Sequence, residues 1–150
     1  MAQQSFRHVL VLVDGTESSL KAAECGVQLA KAYRAQFTAV GVVDTATLKH
    51  LLTSGIMVAA EMQDYEHEIE ASERKHLNYV ADLAKENGVK AHTVLLKGAV
   101  HSAVLAEQKS CGADLIVIGA FRWTLAHRDQ SARERQLILD EAPCPVLIVR

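Results

Sequence analysis

Five short strand-like runs, separated by stretches with helical periodicity, constrain the fold of this chain most strongly. The runs are residues 9–13, 37–43, 92–97, 115–119 and 146–149. Runs that are mostly apolar are typical of strands buried on both faces of a parallel sheet. Parallel strands need helical crossovers, and these crossovers are right-handed. The alternation therefore predicts an α/β fold, a doubly wound three-layer sandwich with helices on both faces of the sheet.

The segments between these runs have the spacing of amphipathic helices. Thr16 is the predicted N-cap of a helix that ends near Arg34, and Gly88 suits the C-terminal cap of a long helix over residues 61–87. Two further helices are predicted over residues 99–111 and 130–141, whereas residues 44–60 have no clear frame. The stripe that is predicted to pack on the sheet from the long helix is Met62, Tyr65, Ile69, His76, Val80 and Leu83.

Length and composition favour a single domain over residues 1–150. Hydrophobic residues make up 49% of the 150 positions, and the formal net charge is −2. This charge gives no electrostatic basis for binding nucleic acid or an anionic membrane. No apolar run approaches the ~20 residues of a membrane helix, and residues 1–7 lack the apolar core of a secretory signal. A cytoplasmic location is therefore expected.

Several stretches of the sequence resemble those of a known family. The chain contains VLVLVDGTESS from Val9, ADLIVIG from Ala113 and APCPVLIV from Ala142, with Gly98 before the second of them. In this order they resemble the universal stress protein family over essentially the whole chain. The resemblance implies a five-stranded parallel sheet of order 3-2-1-4-5, which is the adenine nucleotide alpha hydrolase-like fold. It also implies a stress-response role as a binding or regulatory module.

The implied strand order places a ligand crevice at the carboxyl ends of the first and fourth strands, where the order reverses. Asp14 has two interpretations there, because its carboxylate can hold a ligand or can order the turn before the first helix. The glycines likewise fit either a ligand approach or a tight turn. The residues that the strand ends are expected to bring together are Val13, Asp14, Gly15, Thr16, Val42 and Gly119.

The loop after the fourth strand departs from the nucleotide-binding pattern of the family, G-x2-G-x9-G-[ST]. In that pattern glycines let backbone N–H groups approach phosphates, and a hydroxyl adds a donor at the next helix. Gly119 matches the first position, but Arg122, Ala132 and Arg133 occupy the other three. One interpretation is that these side chains obstruct the phosphates of ATP. The other is that arginine replaces the glycines as a phosphate ligand, because a basic cluster surrounds the loop; it comprises Arg122, His127, Arg128, Arg133 and Arg135.

Asp14 and Val42 match the positions that contact the adenosine half of the nucleotide in binding members of the family. The sequence therefore predicts a crevice that accepts adenosine or AMP weakly and has weak or lost ATP binding, with no certain resident cofactor. The alternative is a nucleotide-binding switch for ATP or AMP with an arginine-modified phosphate loop and slow ATP turnover. Trp123, beside this loop, either stacks on a base or packs inward in its place.

Catalytic and metal sites are not expected from the sequence. The seven histidines lack metal-ligand spacing, and Ser102, which follows His101, lacks an evident acid partner. The protein is therefore predicted not to be an enzyme. The charged residues of the long helix are predicted to form a solvated face, which comprises Glu61, Asp64, Glu66, Glu68, Glu70, Glu73, Arg74 and Lys75.

The last strand and the segment without a frame bear on partners. The implied order places Val146–Val149 at an edge of the sheet, and an apolar edge strand is a liability unless another strand pairs with it. Universal stress proteins commonly dimerise this way, so a homodimer through Val146–Val149 is predicted. Residues 44–60, with apolar side chains that lack a frame, are interpreted as a mobile lid or as a surface for an unknown protein partner.

Overall fold

The computed structural model describes residues 5–121 and 130–150, so the predicted site residue Arg122 lies outside the described part, as do Trp123, His127 and Arg128. Strands and helices alternate as the sequence pattern predicts. In chain order they are β1 (His8–Leu12), α1 (Glu17–Tyr33), β2 (Gln36–Asp44), α2 (Thr45–Thr53), α3 (Ala59–Glu86), β3 (Ala91–Gly98), α4 (Val100–Cys111), β4 (Leu115–Gly119), α5 (Gln130–Glu141) and β5 (Val146–Val149).

The five strands form one parallel sheet of order β3-β2-β1-β4-β5, which confirms the expected topology. β1 lies at the centre, where Val9 is opposite Phe37 of β2 on one side and Leu115 of β4 on the other. The chain builds outward from β1 to β3 and then crosses to β4 and β5. The order therefore reverses between β1 and β4, and this reversal places a crevice at their carboxyl ends.

Alternate side chains of β1 anchor two separate cores, one on each face of the sheet. Val9 and Val11 pack beneath α1 and α3. Leu10 and Leu12 pack in the opposite core, beneath α4 and α5. None of the four is more than 2% exposed. This burial on both faces explains why the run is continuously apolar, and it confirms the three-layer sandwich.

The start of α1 is fixed by the predicted cap. The hydroxyl oxygen of Thr16 accepts a hydrogen bond from the backbone N–H of Ser19 at 3.2 Å. This bond satisfies one of the N–H groups that the first turn of a helix leaves unpaired. The end of α3 also has its predicted cap. Gly88, which follows this helix, has a φ of 73°, in the left-handed region that such a cap requires.

Residues 44–60 contain α2 and the turn that precedes α3. Asp44 caps α2 by accepting the N–H of Thr47 at 3.0 Å. Only Leu48 of this segment is deeply buried, at 5% exposed, whereas Ile56 and Val58 are 68% and 60% exposed. Because α2 buries only one side chain deeply, its sequence lacks the spacing of apolar residues that identifies an amphipathic helix.

The buried face of α3 differs from the predicted one in two ways. Tyr65, predicted to pack on the sheet, is 40% exposed, and Glu73, predicted to be solvated, is only 9% exposed. The buried residues are Glu73, Leu77, Val80 and Ala84, all in the second half of the helix. This half lies over β2, where the absence of a side chain at Gly41 leaves room for Glu73. The apolar stripe of the first half therefore continues beyond the sheet.

Candidate functional site

A cavity of about 270 Å³ lies at the carboxyl ends of β1 and β2, beside the first turns of α4 and α5. It lies at the edge of the sheet where a ligand is expected, but on the β2 side of β1, and none of the described residues that line it belongs to β4. Of the predicted site residues, Val13, Asp14 and Val42 line it. The remaining lining residues are Leu12, Asp44, Thr47, Val100, Ser131, Glu134 and Arg135. We refer to this cavity as the crevice.

The Asp14 carboxylate orders the turn between β1 and α1. One of its oxygens accepts the backbone N–H of Thr16 at 3.0 Å and the Thr16 hydroxyl at 2.6 Å. Between them, Gly15 has a φ of 81°, and a Cβ at this position would collide with the ring of His76. Glycine is therefore required both by the backbone and by the close approach of α3.

Arg135 of α5 occupies the crevice and forms an ion pair with Asp14. Its guanidinium donates to the second carboxylate oxygen of Asp14 and to the hydroxyl of Ser131. The side chain of Arg135 is only 6% exposed, against 26% for that of Asp14. The sequence placed Arg135 in the basic cluster around the loop, whereas the structure buries it, because Arg135 and Ser131, one helical turn apart, both line the crevice.

Burial and nearby charges shift the pKa values of Asp14 and Glu73 in opposite directions. Burial raises the pKa of Asp14, but the positive charge of Arg135 and the hydrogen bonds from Thr16 outweigh it, so the pKa is lowered. Burial, followed by the negative charge of Asp14, raises the pKa of Glu73 to about 7. Asp14 is therefore ionised at neutral pH. Glu73, with a pKa of about 7, is only partly ionised in the same range.

Three buried polar atoms near the Asp14 turn have no hydrogen-bond partner among the described residues. They are Oε2 of Glu73, Nδ1 of His76 and Nε of Arg135. Buried polar atoms are normally paired, so such a group indicates room for a polar ligand or for water. Of the three, only Arg135 lines the crevice, whereas Glu73 and His76 belong to α3.

Of the other predicted site residues, those that the structure describes do not line the crevice. A Cβ on Gly119 would lie 2.6 Å from the carbonyl carbon of Ser18, so this glycine serves the packing of β4 against α1. Ala132 is 1% exposed, while Arg133 is exposed. Arg133 therefore faces solvent rather than the space where a phosphate would lie.

Sequence reasoning missed Glu134, which lines the crevice and contacts α4. Its carboxylate accepts the backbone N–H of His101 at 2.8 Å and lies 2.5 Å from the ring atom Nδ1 of the same residue. The prediction that Ser102 and His101 lack an acid partner is therefore wrong. No sequence spacing could reveal this contact, because 33 positions separate its two residues. Across residues 5–121 and 130–150, no cluster of three or more His, Cys, Asp or Glu side chains is arranged to hold a metal ion.

None of the helices in the described ranges combines the length and the apolarity that a membrane span requires.

Comparisons with known proteins identify relatives over nearly the full length. The model of the universal stress protein family matches residues 5–150. Universal stress protein YxiE of Bacillus subtilis is 29% identical over 147 residues, which cover 97% of this chain and 99% of the relative. A universal stress protein of Methanocaldococcus jannaschii is 28% identical over 146 residues, covering 97% of this chain and 82% of the relative.

Solved structures share the fold at lower sequence identity. A universal stress protein in complex with cAMP aligns with a TM-score of 0.70 and 21% identity, covering 98% of both chains. The universal stress protein from Archaeoglobus fulgidus in complex with dAMP aligns with a TM-score of 0.66 and 14% identity, covering 98% of this chain and 100% of the other. At these identities the likeness establishes the fold.

Proposed function

This chain belongs to the universal stress protein family, and we propose that it is a homodimeric binding or regulatory module whose crevice accepts adenosine or AMP weakly and has lost tight ATP binding. In this proposal the crevice binds its ligand without catalysing a reaction. The protein requires no resident cofactor. Family membership also supports a role in the stress response and a cytoplasmic location.

The ion pair between Arg135 and Asp14 carries this proposal. A nucleoside that uses the Asp14 carboxylate has to displace a guanidinium that is already bonded to it. A hydrogen bond to a charged group contributes roughly 1.5–3 kcal/mol, so the displacement weakens binding by about 10- to 100-fold. The protein's own side chain therefore acts as a competitor of the ligand.

The size of the crevice supports the same conclusion. Pockets for drug-sized ligands occupy roughly 300–1,000 Å³, whereas this one holds about 270 Å³. Such a volume suits part of a nucleoside better than a nucleotide with three phosphates. Ala132 and Arg133, at two of the family's phosphate-loop positions, add to this, because neither has the glycine or hydroxyl of the pattern.

A second candidate function is a nucleotide switch in which Arg135 holds a phosphate. The Nε of Arg135 favours it, because it has no hydrogen-bond partner in residues 5–121 and 130–150 and a guanidinium recognises phosphate through two parallel hydrogen bonds. Related structures in complex with cAMP and dAMP show that this fold receives nucleotides in other proteins. In this candidate, Asp14 binds the adenosine half and Arg135 moves to the phosphate, with slow ATP hydrolysis as a consequence.

Exposed apolar side chains on β5 support the homodimer. β5 lies at one edge of the sheet, and Leu147 and Ile148 are 37% and 39% exposed. Antiparallel pairing with the β5 strand of a second copy would cover both side chains and would satisfy the free edge. We place the dimer interface on Val146–Val149.

Isothermal titration of the protein with adenosine, AMP and ATP tests the proposed function. We expect adenosine and AMP to bind with dissociation constants of about 0.1–1 mM and ATP to bind more weakly. Native mass spectrometry of the purified protein should show no retained nucleotide. ATP binding at low micromolar concentration, or ATP that co-purifies with the protein, would refute the proposal and favour the switch.

A further inference from the structure

A serine, a histidine and a glutamate form a continuous hydrogen-bonded array where α4 meets α5. Glu134 of α5 is 6% exposed, and its Oε2 lies 2.5 Å from Nδ1 of His101. On the other side of the ring, Nε2 of His101 lies 3.3 Å from the hydroxyl oxygen of Ser102. The Ser102 side chain is exposed, so a reagent from solvent can reach it.

The contacts of Glu134 determine which ring nitrogen of His101 carries the proton. An ionised carboxylate only accepts hydrogen bonds, so the neutral imidazole donates from Nδ1 and presents its lone pair at Nε2. The Ser102 hydroxyl must then be the donor in its contact with Nε2. This is the donor and acceptor order of serine, histidine and acid arrays that activate a serine for acyl transfer.

We propose that Ser102 is an activated nucleophile that accepts acyl groups from activated carboxylic esters. Its Oγ forms a bond to the acyl carbon, the bond from that carbon to the leaving oxygen breaks, and the serine proton passes through Nε2 of His101 to the leaving group. Water then attacks the acyl carbon while Nε2 of His101 takes its proton, the bond from that carbon to Oγ breaks, and His101 returns the proton to Oγ as the carboxylic acid leaves. Glu134 stays ionised and stabilises the imidazolium in both steps.

The surroundings of the array favour this activity. Val100, two residues before Ser102, and Glu134 both line the crevice. The acid of the array therefore borders the crevice, while Ser102 lies exposed on the surface of α4, where an ester can reach it from solvent.

The test uses two probes, p-nitrophenyl acetate and a fluorophosphonate, with mass mapping of the labelled residue. The fluorophosphonate reacts when Oγ bonds to phosphorus and fluoride leaves, and ordinary serines do not react in this way. We expect both probes to label Ser102, and Ser102→Ala to abolish this label. The matched control is Ser110→Ala, which removes another exposed serine of α4 and should leave labelling at Ser102 unchanged.

The partner residues give readouts that a structural role would not move. General-base catalysis contributes roughly 10²- to 10⁴-fold, so His101→Gln should slow acylation of Ser102 at least ~10-fold and flatten its pH profile. Glu134→Gln keeps an acceptor for the backbone N–H of His101 but removes the charge, and should also slow acylation while circular dichroism remains native. Label confined to lysines, absence of label on Ser102, or equal rates in His101→Gln would overturn the proposal.

Discussion

Asp14 illustrates how one carboxylate serves both the turn and the crevice. Thr16 and Arg135 together keep its pKa below the usual range in spite of burial, whose effect is to raise it. A group with a lowered pKa in the folded state stabilises the protein above its unfolded pKa, and this contribution is lost as the pH falls through the folded value. The ion pair therefore persists throughout the neutral range.

Replacement of Asp14 by asparagine should destabilise the protein in a pH-dependent way. Because Arg135 is buried and loses its counter-charge, we expect Asp14→Asn to lower the free energy of unfolding by about 1–3 kcal/mol at neutral pH. The difference should vanish in acid, where the wild-type carboxyl is protonated. Urea unfolding across pH measures it, with the exposed Asp64→Asn as the control. A pH-independent difference would contradict the assigned charge of Asp14.

Glu73 should give the opposite pH dependence. Its pKa is raised from 4.5 to about 7, so the folded protein holds the proton more tightly than the unfolded chain between these values. Stability from this group is complete below about pH 4.5 and falls as the pH rises through 7. Burial is the main cause of this shift, and the negative charge of Asp14 adds to it.

Glu73→Gln should therefore stabilise the protein only above neutral pH. We expect a gain of about 1–3 kcal/mol near pH 8, since one unit of pKa shift corresponds to about 1.4 kcal/mol, and little change near pH 5. Thermal unfolding at the two pH values measures it, and the exposed Glu68→Gln of the same helix is the control. An equal shift in both buffers would show that the charge of Glu73 is not responsible.

At this scale, the sequence predicted local chemistry better than long-range chemistry. The cap at Thr16, which joins residues three positions apart, is confirmed, and the turn at Asp14, two positions before Thr16, is one of the two interpretations that the sequence left open. Glu73 was assigned to a solvated face because charged residues usually lie there, and Arg135 to a basic cluster around the loop. Their burial depends on Gly41 and Asp14, which are distant in the chain, and one sequence has no signal for such a pairing.

Strands and most helices were predicted to within about two residues, because each buries a face and the burial imposes a period. The exception is α2, whose single deeply buried side chain is Leu48. Its cap, Asp44, is a visible signal at the end of β2, since the Thr47 hydroxyl and N–H both bond to this carboxylate. The start of α3 at Ala59 was predicted two residues too late, because Val58 makes no side-chain cap.

The single anchor of α2 predicts how this element responds to mutation. Leu48→Ala should cost about 2–3 kcal/mol, as for other buried leucines, and should raise hydrogen exchange throughout α2 with little change in the sheet. Leu52→Ala, on the same helix but 42% exposed, should change stability by less than about 0.5 kcal/mol. Hydrogen exchange measured by mass spectrometry compares the two. Similar protection of α2 in both variants would show that other contacts hold it.

For the molecule as a whole, the sequence pattern predicted parallel strands, but their order came from the family resemblance. An apolar run such as β1 indicates that the strand is buried on both faces, but it does not indicate which strands pair with it. The pairing of Val9 with Phe37 and Leu115 joins distant parts of the chain. The position of β5 at an edge, and with it the predicted dimer, depends on this order.

The dimer prediction can be tested at the edge strand. Ile148→Lys places a charge on the exposed face of β5 and should convert the dimer to a monomer at tens of micromolar, because unpaired edge strands carry lysine without penalty. Leu52→Lys is the control, because Leu52 is similarly exposed but lies on α2, away from the edge strand β5. It should leave the dimer intact. Sedimentation velocity distinguishes them. A wild-type protein that is already monomeric would contradict the assigned interface.

The most direct test of the account is calorimetric titration of Arg135→Gln with adenosine and AMP, beside wild type and Lys109→Gln, which removes a positive charge at the far end of α4. Circular dichroism first checks that each variant is folded. If Arg135 competes for Asp14, the variant should bind both ligands about 10-fold or more tightly than wild type, and Lys109→Gln should not. Weakened AMP binding with unchanged adenosine binding would contradict the account and show that Arg135 holds the phosphate.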